Sequence, residues 1–166
     1  MKREMDRGLN IDSSQTTEKF LHLSKEVIEF LIENLIKLHE LEQEIFERSQ
    51  KLQNPAEPNQ LQAGEKELWD EYKKRHGELI SAFSMSSNME RGSSFGKPTK
   101  YEYLLNPDTK FLFIMKSALK AVVETQYEEG IIRKDQFILK KDKDGWKVNS
   151  KKYGFLNDST WYKDEL

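Results

Sequence analysis

The sequence contains no cysteine, and this absence excludes two kinds of site. Disulfide bridges and thiolate zinc centres both depend on cysteine sulfur. Small secreted domains commonly rely on a disulfide framework, whereas intracellular proteins rarely do. We therefore expect a cytoplasmic protein without disulfides.

Long apolar runs are missing as well. The most apolar stretch, residues 27–41, is interrupted by Glu29, Glu33 and Lys37. A membrane-spanning helix needs about 20 predominantly apolar residues, and a secretory signal needs an unbroken apolar segment behind a basic start. The sequence thus predicts neither membrane insertion nor export.

An excess of one charge is also lacking, since 27 lysines and arginines stand against 29 aspartates and glutamates. The formal net charge of -2 provides no basic surplus of the kind that nucleic-acid-binding domains carry. We expect no nucleic-acid partner. The length of 166 residues is that of one ordinary domain, and we predict a single domain over residues 1–166.

The apolar residues that are present follow two different periods. From residue 12 to residue 83 the spacing is three or four, as on one face of an α-helix. Pro55 and Pro58 divide this half into a helix ending near Gln50 and a second helix over residues 64–83. The apolar face comprises Phe20, Leu23, Val27, Leu31, Leu35, Leu38, Leu41 and Ile45, then Leu68, Trp69, Tyr72, His76, Leu79, Ile80 and Phe83.

After a small-residue segment at 84–99, which we predict to be a loop, the period changes to two. This alternation predicts strands at residues 101–105, 111–115, 121–129, 136–141 and 146–149. The last three are joined by short turns, which makes them antiparallel neighbours. The sequence therefore predicts an α+β fold with N-terminal helices and an antiparallel strand meander over residues 100–166.

Several stretches of the strand half carry a family resemblance: Ala121-Val122-Val123-Glu124-Thr125, Phe137-Ile138-Leu139-Lys140-Lys141, Gly145-Trp146-Lys147-Val148, Lys151-Lys152-Tyr153-Gly154-Phe155 and Trp161. Together they resemble bacterial immunity proteins of the nuclear-transport-factor-2-like fold, which are partners of polymorphic toxins. The resemblance implies N-terminal helices packed in a cone against a curved antiparallel sheet. It also implies a protein that binds and neutralises a cognate toxin without catalysis.

Catalytic and metal-binding patterns do not stand out among the 3 histidines and the acidic residues. There is no His-Glu-x-x-His motif on a helix. The segment Asp142-Lys143-Asp144-Gly145 is typical of a hairpin turn, because the ligand series of a calcium loop does not follow it. We expect no metal, no cofactor and no catalytic residue.

A second function stays open, because enzymes and small-molecule-binding proteins of the same fold use the cavity inside the cone. The residues that would line such a cavity here are Trp69, Tyr72, His76, Tyr127 and Trp146. Core packing is their alternative interpretation. We favour it for His76, because no carboxylate is spaced to orient the ring.

The outward side of the strand at 121–129 supplies a partner-binding hypothesis. Glu124, Gln126 and Glu128 alternate on one side of that strand, and Glu129 follows them. Charged residues often occupy a solvated sheet face without a further role. The functional interpretation is that this polar face binds the toxin through charge complementarity. A homodimer through an exposed sheet face is a third interpretation.

The last four residues, Lys163-Asp164-Glu165-Leu166, spell the retrieval signal of the endoplasmic reticulum. That signal acts on proteins of the secretory path, and no entry signal accompanies it here. We interpret the match as a coincidence.

Overall fold

A computed structural model describes four stretches of the chain: residues 8–57, 60–85, 100–127 and 133–166. Helix α1 spans Ser24–Leu52 and helix α2 spans Glu65–Phe83, so both predicted helices are confirmed. The first α-helix begins later than the apolar spacing indicated, because Glu18–Leu23 forms a 3-10 helix ahead of it.

The second half of the chain builds most of a six-stranded sheet within the described residues. The strands are β1 Asn10–Asp12, β2 Lys110–Ser117, β3 Lys120–Tyr127, β4 Arg133–Asp142, β5 Gly145–Phe155 and β6 Tyr162–Asp164. They lie side by side in sequence order, and all neighbours are antiparallel except the parallel pair β1 and β2. The chain therefore has an α+β fold with a mostly antiparallel sheet.

Two predictions about the strands are wrong. Residues 101–105, predicted as a strand, form a 3-10 helix at Glu102–Leu105. Tyr101 and Leu104 are buried while Leu105 is exposed, and a buried spacing of three matches a 3-10 turn rather than the two-residue period of a strand. Strand β1 was not predicted, and it makes the sheet neither purely antiparallel nor confined to residues 100–166.

Alternate residues of the sheet point to opposite sides, and one side forms the main core. Phe113, Val123 and Phe137 are fully buried there and share one cluster with the first half of α1 and the end of α2. Removing this apolar surface from water stabilises the fold by about 25 cal/mol per Å². We call this side the inner face, because the helices cover it.

A second, smaller cluster joins the far halves of the two helices. Leu41 and Ile45 of α1 pack there with Leu68 and Tyr72 of α2. The helix pair is thus held at one end by the sheet and at the other end by its own side chains.

An irregularity in β5 decides which of its side chains reach the core. Val148 and Ser150 pair with consecutive residues of β4, so Asn149 is an extra residue. A bulge of this kind shifts the alternation of the residues that follow it by one. Lys151 consequently faces inward and its side chain has 0% exposure, whereas Lys152 is exposed.

Short segments close both edges of the sheet. Beyond β1, the hydroxyl of Thr16 donates to the carbonyl of Phe113 at 2.6 Å and accepts from the N–H of Met115 at 3.2 Å. At the other edge β6 pairs with part of β5, and the N–H of Met85 donates to the carbonyl of Val148 at 2.9 Å. Exposed strand edges can pair with other chains, and these contacts reduce the unpaired length of both edges.

The structure bears on three further expectations from the sequence. Of the loop predicted at residues 84–99, only Ser84 and Met85 lie within the described residues. No helix in the described stretches combines the length and the apolar character that crossing a bilayer requires. Leu166, at the end of the tetrapeptide that resembles a retrieval signal, is 1% exposed and belongs to the main core. A receptor-read peptide has to be accessible, and this leucine is not.

Candidate functional site

The side of the sheet that faces away from the helices is the candidate site, and we call it the outer sheet face. It consists of the side chains that alternate with the buried inner ones, and these are partly or fully exposed. A sheet provides a rigid, open platform, because each strand is hydrogen-bonded to its neighbours. Such a platform suits contact with another macromolecule better than enclosure of a small one.

An apolar strip crosses the middle of the outer sheet face. Ile114 of β2 lies opposite Val122 of β3, and Val122 lies opposite Ile138 of β4. Leu112 extends the strip along β2. All four side chains are partly exposed, which leaves aliphatic surface in contact with water. We call these four residues the apolar strip.

Lysines border this strip on both sides along the strands. Next to the strip, toward the end of the sheet where β3 begins, Lys120, Lys140 and Lys147 lie side by side on β3, β4 and β5. On the other side, Lys152 of β5 lies opposite Lys163 of β6. The lysine rim, as we call it, comprises Lys110, Lys120, Lys134, Lys140, Lys147, Lys152 and Lys163.

Glu124 and Gln126, two of the predicted partner-binding residues, lie within this basic surrounding. Glu124 and Gln126 are on the outer sheet face, whereas Glu128 and Glu129 lie outside the described residues. Gln136 of the neighbouring strand donates to the carboxylate of Glu124 at 3.0 Å. Glu124 is the carboxylate of β3 on this side, but the lysine rim, which includes Lys120 of the same strand, makes the described face as a whole basic.

An aromatic residue marks one end of the outer sheet face. The ammonium of Lys134 lies 4.3 Å from the ring centroid of Trp161 and donates to the carbonyl of Asp158 at 3.0 Å. The chain crosses β5 at Gly154, where an added Cβ would meet the carbonyl oxygen of Thr160 at 2.9 Å. A glycine is therefore needed at this position by the close approach of the crossing segment.

A second group of polar residues lies on the inner face and is mostly buried. Lys151 contacts the carboxylates of Asp164 and, at 3.8 Å, Asp135. Arg133 bridges the same two carboxylates, at 3.1 Å and 3.0 Å respectively from Asp135 and Asp164. The hydroxyl of Tyr103 donates to Asp135 at 2.9 Å. We call these five residues the inner ion cluster.

The protonation of the inner ion cluster follows from burial and neighbouring charge. Burial and, next, the negative charge of Asp135 raise the pKa of Tyr103 well above its ordinary value, so the phenol stays a donor. Burial works against the charged form of Asp164, but the charge and hydrogen bond of Lys151, with the charge of Lys100, lower its pKa below the usual range. The carboxylate of Asp164 is therefore held as an ion by the cations beside it.

This arrangement is typical of a structural network rather than of an acid/base site. Asp135 is surrounded by two cations and a phenol donor, which use its acceptor positions. A general base has to be within hydrogen-bond reach of a substrate proton. Within the described residues, no group of three His, Cys, Asp or Glu side chains is arranged to hold a metal ion.

The predicted cavity-lining residues divide among separate parts of the molecule. Tyr72 and His76 are buried, with ring centroids 5.4 Å apart on α2, and Trp69 of the same helix is half-buried. Trp146 belongs to the main core instead. Tyr127 lies at the end of β3, where its hydroxyl accepts from the amide of Asn106 at 2.6 Å. The structure thus brings Tyr72 and His76 together and assigns Trp146 to a different packing cluster from Tyr72.

A groove of about 470 Å³ does lie along the two helices, but it involves other residues. Its walls are largely charged side chains, which suits solvent better than an apolar ligand. The lining residues are Lys37, Glu40, Leu41, Glu44, Arg75, Glu78 and Leu79.

Sequence reasoning missed the lysine rim and the inner ion cluster. Lys134 and Lys140 alternate along β4 with buried residues, so the pattern of that strand did place lysines outward. The missing information was the register, which sets lysines of three strands next to each other. Nothing in the alternation alone marked Lys151 as buried, because the bulge at Asn149 reverses it.

Comparison with known proteins adds no relative: no protein-family model, no curated protein and no solved structure matches the chain.

Proposed function

We propose that this protein is an immunity protein, which neutralises a cognate bacterial toxin domain by stoichiometric binding without catalysis. The observation that carries the proposal is the outer sheet face, on which an apolar strip lies inside the lysine rim. Protein interfaces have this anatomy, with apolar contacts at the centre and charged residues at the periphery. The resemblance of the strand segments to toxin immunity proteins supports the choice of partner.

The proposal includes the finer fold of that family. The helices would pack as a cone against a curved sheet, with the inner face filled by side chains and the outer face left for the partner. Buried aromatic residues such as Phe111, Phe113 and Phe137 on the inner face support a filled interior. Binding would take place in the cytoplasm and would need no metal or cofactor.

A small-molecule-binding protein or enzyme of the same fold is the second candidate, and one observation favours it. Tyr103 and Asp135 form a buried hydrogen-bonded pair next to Thr125, whose hydroxyl lies 2.7 Å from that of Tyr103. Phenol and carboxylate pairs serve as acid/base groups in many enzymes. The binding function is the stronger proposal, because Arg133 and Lys151 already engage this carboxylate.

Co-expression with a toxin domain tests the proposal. The toxin domain encoded beside this gene should arrest growth alone and lose that effect when this protein is present. Calorimetry with an inactivated toxin domain should give a one-to-one complex. A toxin domain from an unrelated system is the control and should remain toxic. Absence of binding and of rescue with the adjacent product would overturn the proposal.

A pair of variants tests the place of binding. Ile138→Asp puts a charge in the middle of the apolar strip, where the side chain is partly exposed, and its melting temperature checks that the variant folds. Leu61→Asp makes the same change at a residue that is 74% exposed in the segment between the helices. We expect Ile138→Asp to abolish rescue and Leu61→Asp to preserve it. Equal rescue by both would remove the outer sheet face from the proposal.

A further inference from the structure

We infer that the outer sheet face receives an acidic protein surface, with carboxylates of the partner over the lysine rim and apolar side chains on the strip. The inference rests on the proposed function and specifies the chemistry of the partner. It reverses the expectation from the sequence, in which the carboxylates of Glu124, Glu128 and Glu129 supplied the charge for recognition.

The register of the strands carries this inference. Lys120 lies directly opposite Lys140, Lys140 opposite Lys147, and Lys152 opposite Lys163. Like charges directly opposite each other on one face of a sheet destabilise the free protein. Folding alone gives no reason to collect them here, since the chain as a whole has a formal net charge of -2.

The described part of this face carries few carboxylates that could offset the repulsion between the lysines. Glu124 lies near the middle and accepts from Gln136. Asp142 lies 3.9 Å from Lys147 at the edge. The lysine rim therefore keeps a positive potential, which an acidic partner would neutralise and a neutral partner would not.

The composition of the apolar strip favours a protein over a nucleic acid as the partner of the outer sheet face. Proteins that bind single-stranded nucleic acid on a sheet stack bases on aromatic side chains. Here the middle of the face is aliphatic, with Ile114, Val122 and Ile138 in one row. Aliphatic side chains offer contact area to another protein core but no stacking platform.

The same charge pattern disfavours a second copy of this chain as the partner. A symmetric dimer brings one patch against itself. Two copies of the lysine rim would then face each other, and juxtaposed like charges oppose association. The complementary surface must come from a different protein.

Charge reversal at two rim positions separates binding from folding. Lys140→Glu turns the pairs with Lys120 and Lys147 into opposite-charge pairs, and Lys152→Glu does the same with Lys163. We expect the double variant to melt at or above the wild-type temperature, because cross-strand repulsion is relieved. Its association rate with the cognate toxin domain should nevertheless fall by about tenfold or more.

Lys25→Glu with Lys73→Glu is the matched control, because both lysines are exposed on the helices. The control should keep the wild-type association rate at low ionic strength. Raising the salt concentration should slow wild-type association strongly and leave the rim variant almost unchanged. Equal association rates for the rim variant and the control would overturn the inference while leaving the immunity function intact.

A probe independent of the toxin completes the test. Poly-L-glutamate added to isotope-labelled protein should shift the amide resonances of the lysine rim and the strip at low ionic strength. Shifts spread over all surface lysines, tighter binding of oligo(dT) at the same face, or a dimer formed through this face would each overturn the inference. Poly-L-glutamate binding at the rim without any toxin rescue would instead overturn the proposed function alone.

Discussion

The ammonium of Lys151 lies in the protein interior, where a charge is costly unless partners surround it. Two carboxylates and the rings of Tyr101 and Phe137 provide that surrounding, at 5.5 Å and 5.7 Å from the ammonium to the ring centroids. The network connects β4, β5 and β6 through side chains as well as through their ladders. One residue thus links three strands to each other.

Replacement of Lys151 by methionine tests this role. The variant keeps a long side chain but removes the positive charge of Lys151 from beside Asp135 and Asp164. Removing one partner of a buried pair costs about 3–5 kcal/mol, and we expect a loss near that range in urea unfolding. Lys152→Met is the control, because Lys152 faces outward. A loss as small as that of the control would show that the buried pair is not stabilising.

The lowered pKa of Asp164 predicts how stability changes in acid. A carboxyl with a folded-state pKa below its unfolded value of about 3.9 contributes stability above that pH and loses it as the pH falls through the folded pKa. We expect Asp164→Asn to be less stable than wild type at pH 7, with the difference shrinking below about pH 4. Urea midpoints across this range measure it, and a constant difference would contradict the prediction.

Gly154 tests close packing rather than charge. A Cβ at this position would lie 2.9 Å from the carbonyl oxygen of Thr160 and 3.0 Å from Cε of Lys134. The backbone oxygen cannot yield as a flexible side chain does, so Gly154→Ala should cost about 1–3 kcal/mol. Gly8→Ala, which meets nothing within 4 Å, should leave the urea midpoint unchanged.

The burial of individual charged residues could not be predicted from the sequence, for a physical reason. Lys151 follows a hairpin in which a strict two-residue period would send it outward with Lys147. A bulge has no dependable signal in a single sequence, and it reverses the facing of every residue after it. The turn at Gly145 was easier to predict, because an Asp-Gly pair after an apolar strand indicates a tight turn. Gly145 has a φ of 110° in that turn.

At the scale of elements, β1 pairs with β2 only from Lys110 to Leu112, and Thr16 completes the edge beyond it. Thr16 replaces a strand partner with its side chain, through the two bonds to Phe113 and Met115. Thr16→Val keeps the shape and removes both bonds, which leaves backbone groups unpaired and should cost about 1–3 kcal/mol. Thr17→Val is the control, because Thr17 contributes through its backbone N–H, at 3.1 Å from the carbonyl of Met115. Equal urea midpoints for the two variants would contradict this role.

Long helices and strands with a repeated apolar period were predictable from the sequence, and short elements were not. Helices α1 and α2 each extend over several turns, so many residues contribute to one pattern. Strand β1 and the 3-10 helix at Glu102–Leu105 contain 3 and 4 residues, too few to establish a period. They form because the sheet and the core supply partners, which local sequence does not encode.

At the scale of the whole molecule, two packing clusters predict uneven stability. The far halves of the helices are held by Leu41, Ile45, Leu68 and Tyr72, and ion pairs there are exposed and add little. We expect amides of residues 41–52 and 65–72 to exchange with solvent through partial opening. Amides of β3 and β4 should exchange only through global unfolding. Uniform protection across both groups in hydrogen exchange would show a single cooperative unit instead.

The candidate site was predictable in part at this scale. The alternation of β3 placed Glu124 and Gln126 outward, and both are on the outer sheet face. The charge of the face was not predictable, because it arises from residues of five strands whose register is a tertiary property. Strand β3 considered alone carries Lys120 and Glu124 on this side, whereas the assembled sheet is basic.

The extra residue at Asn149 has a consequence for how such a protein can diverge. In the gene it is a single codon, and its loss would restore the simple alternation to the end of β5. Ser150 would then follow Val148 directly and stay opposite Ile138, so Lys151 and Tyr153 would still point inward. A lineage could therefore gain or lose this residue without exposing the buried lysine. Related chains that differ by this one deletion would align almost perfectly in sequence and would present the same faces of β5.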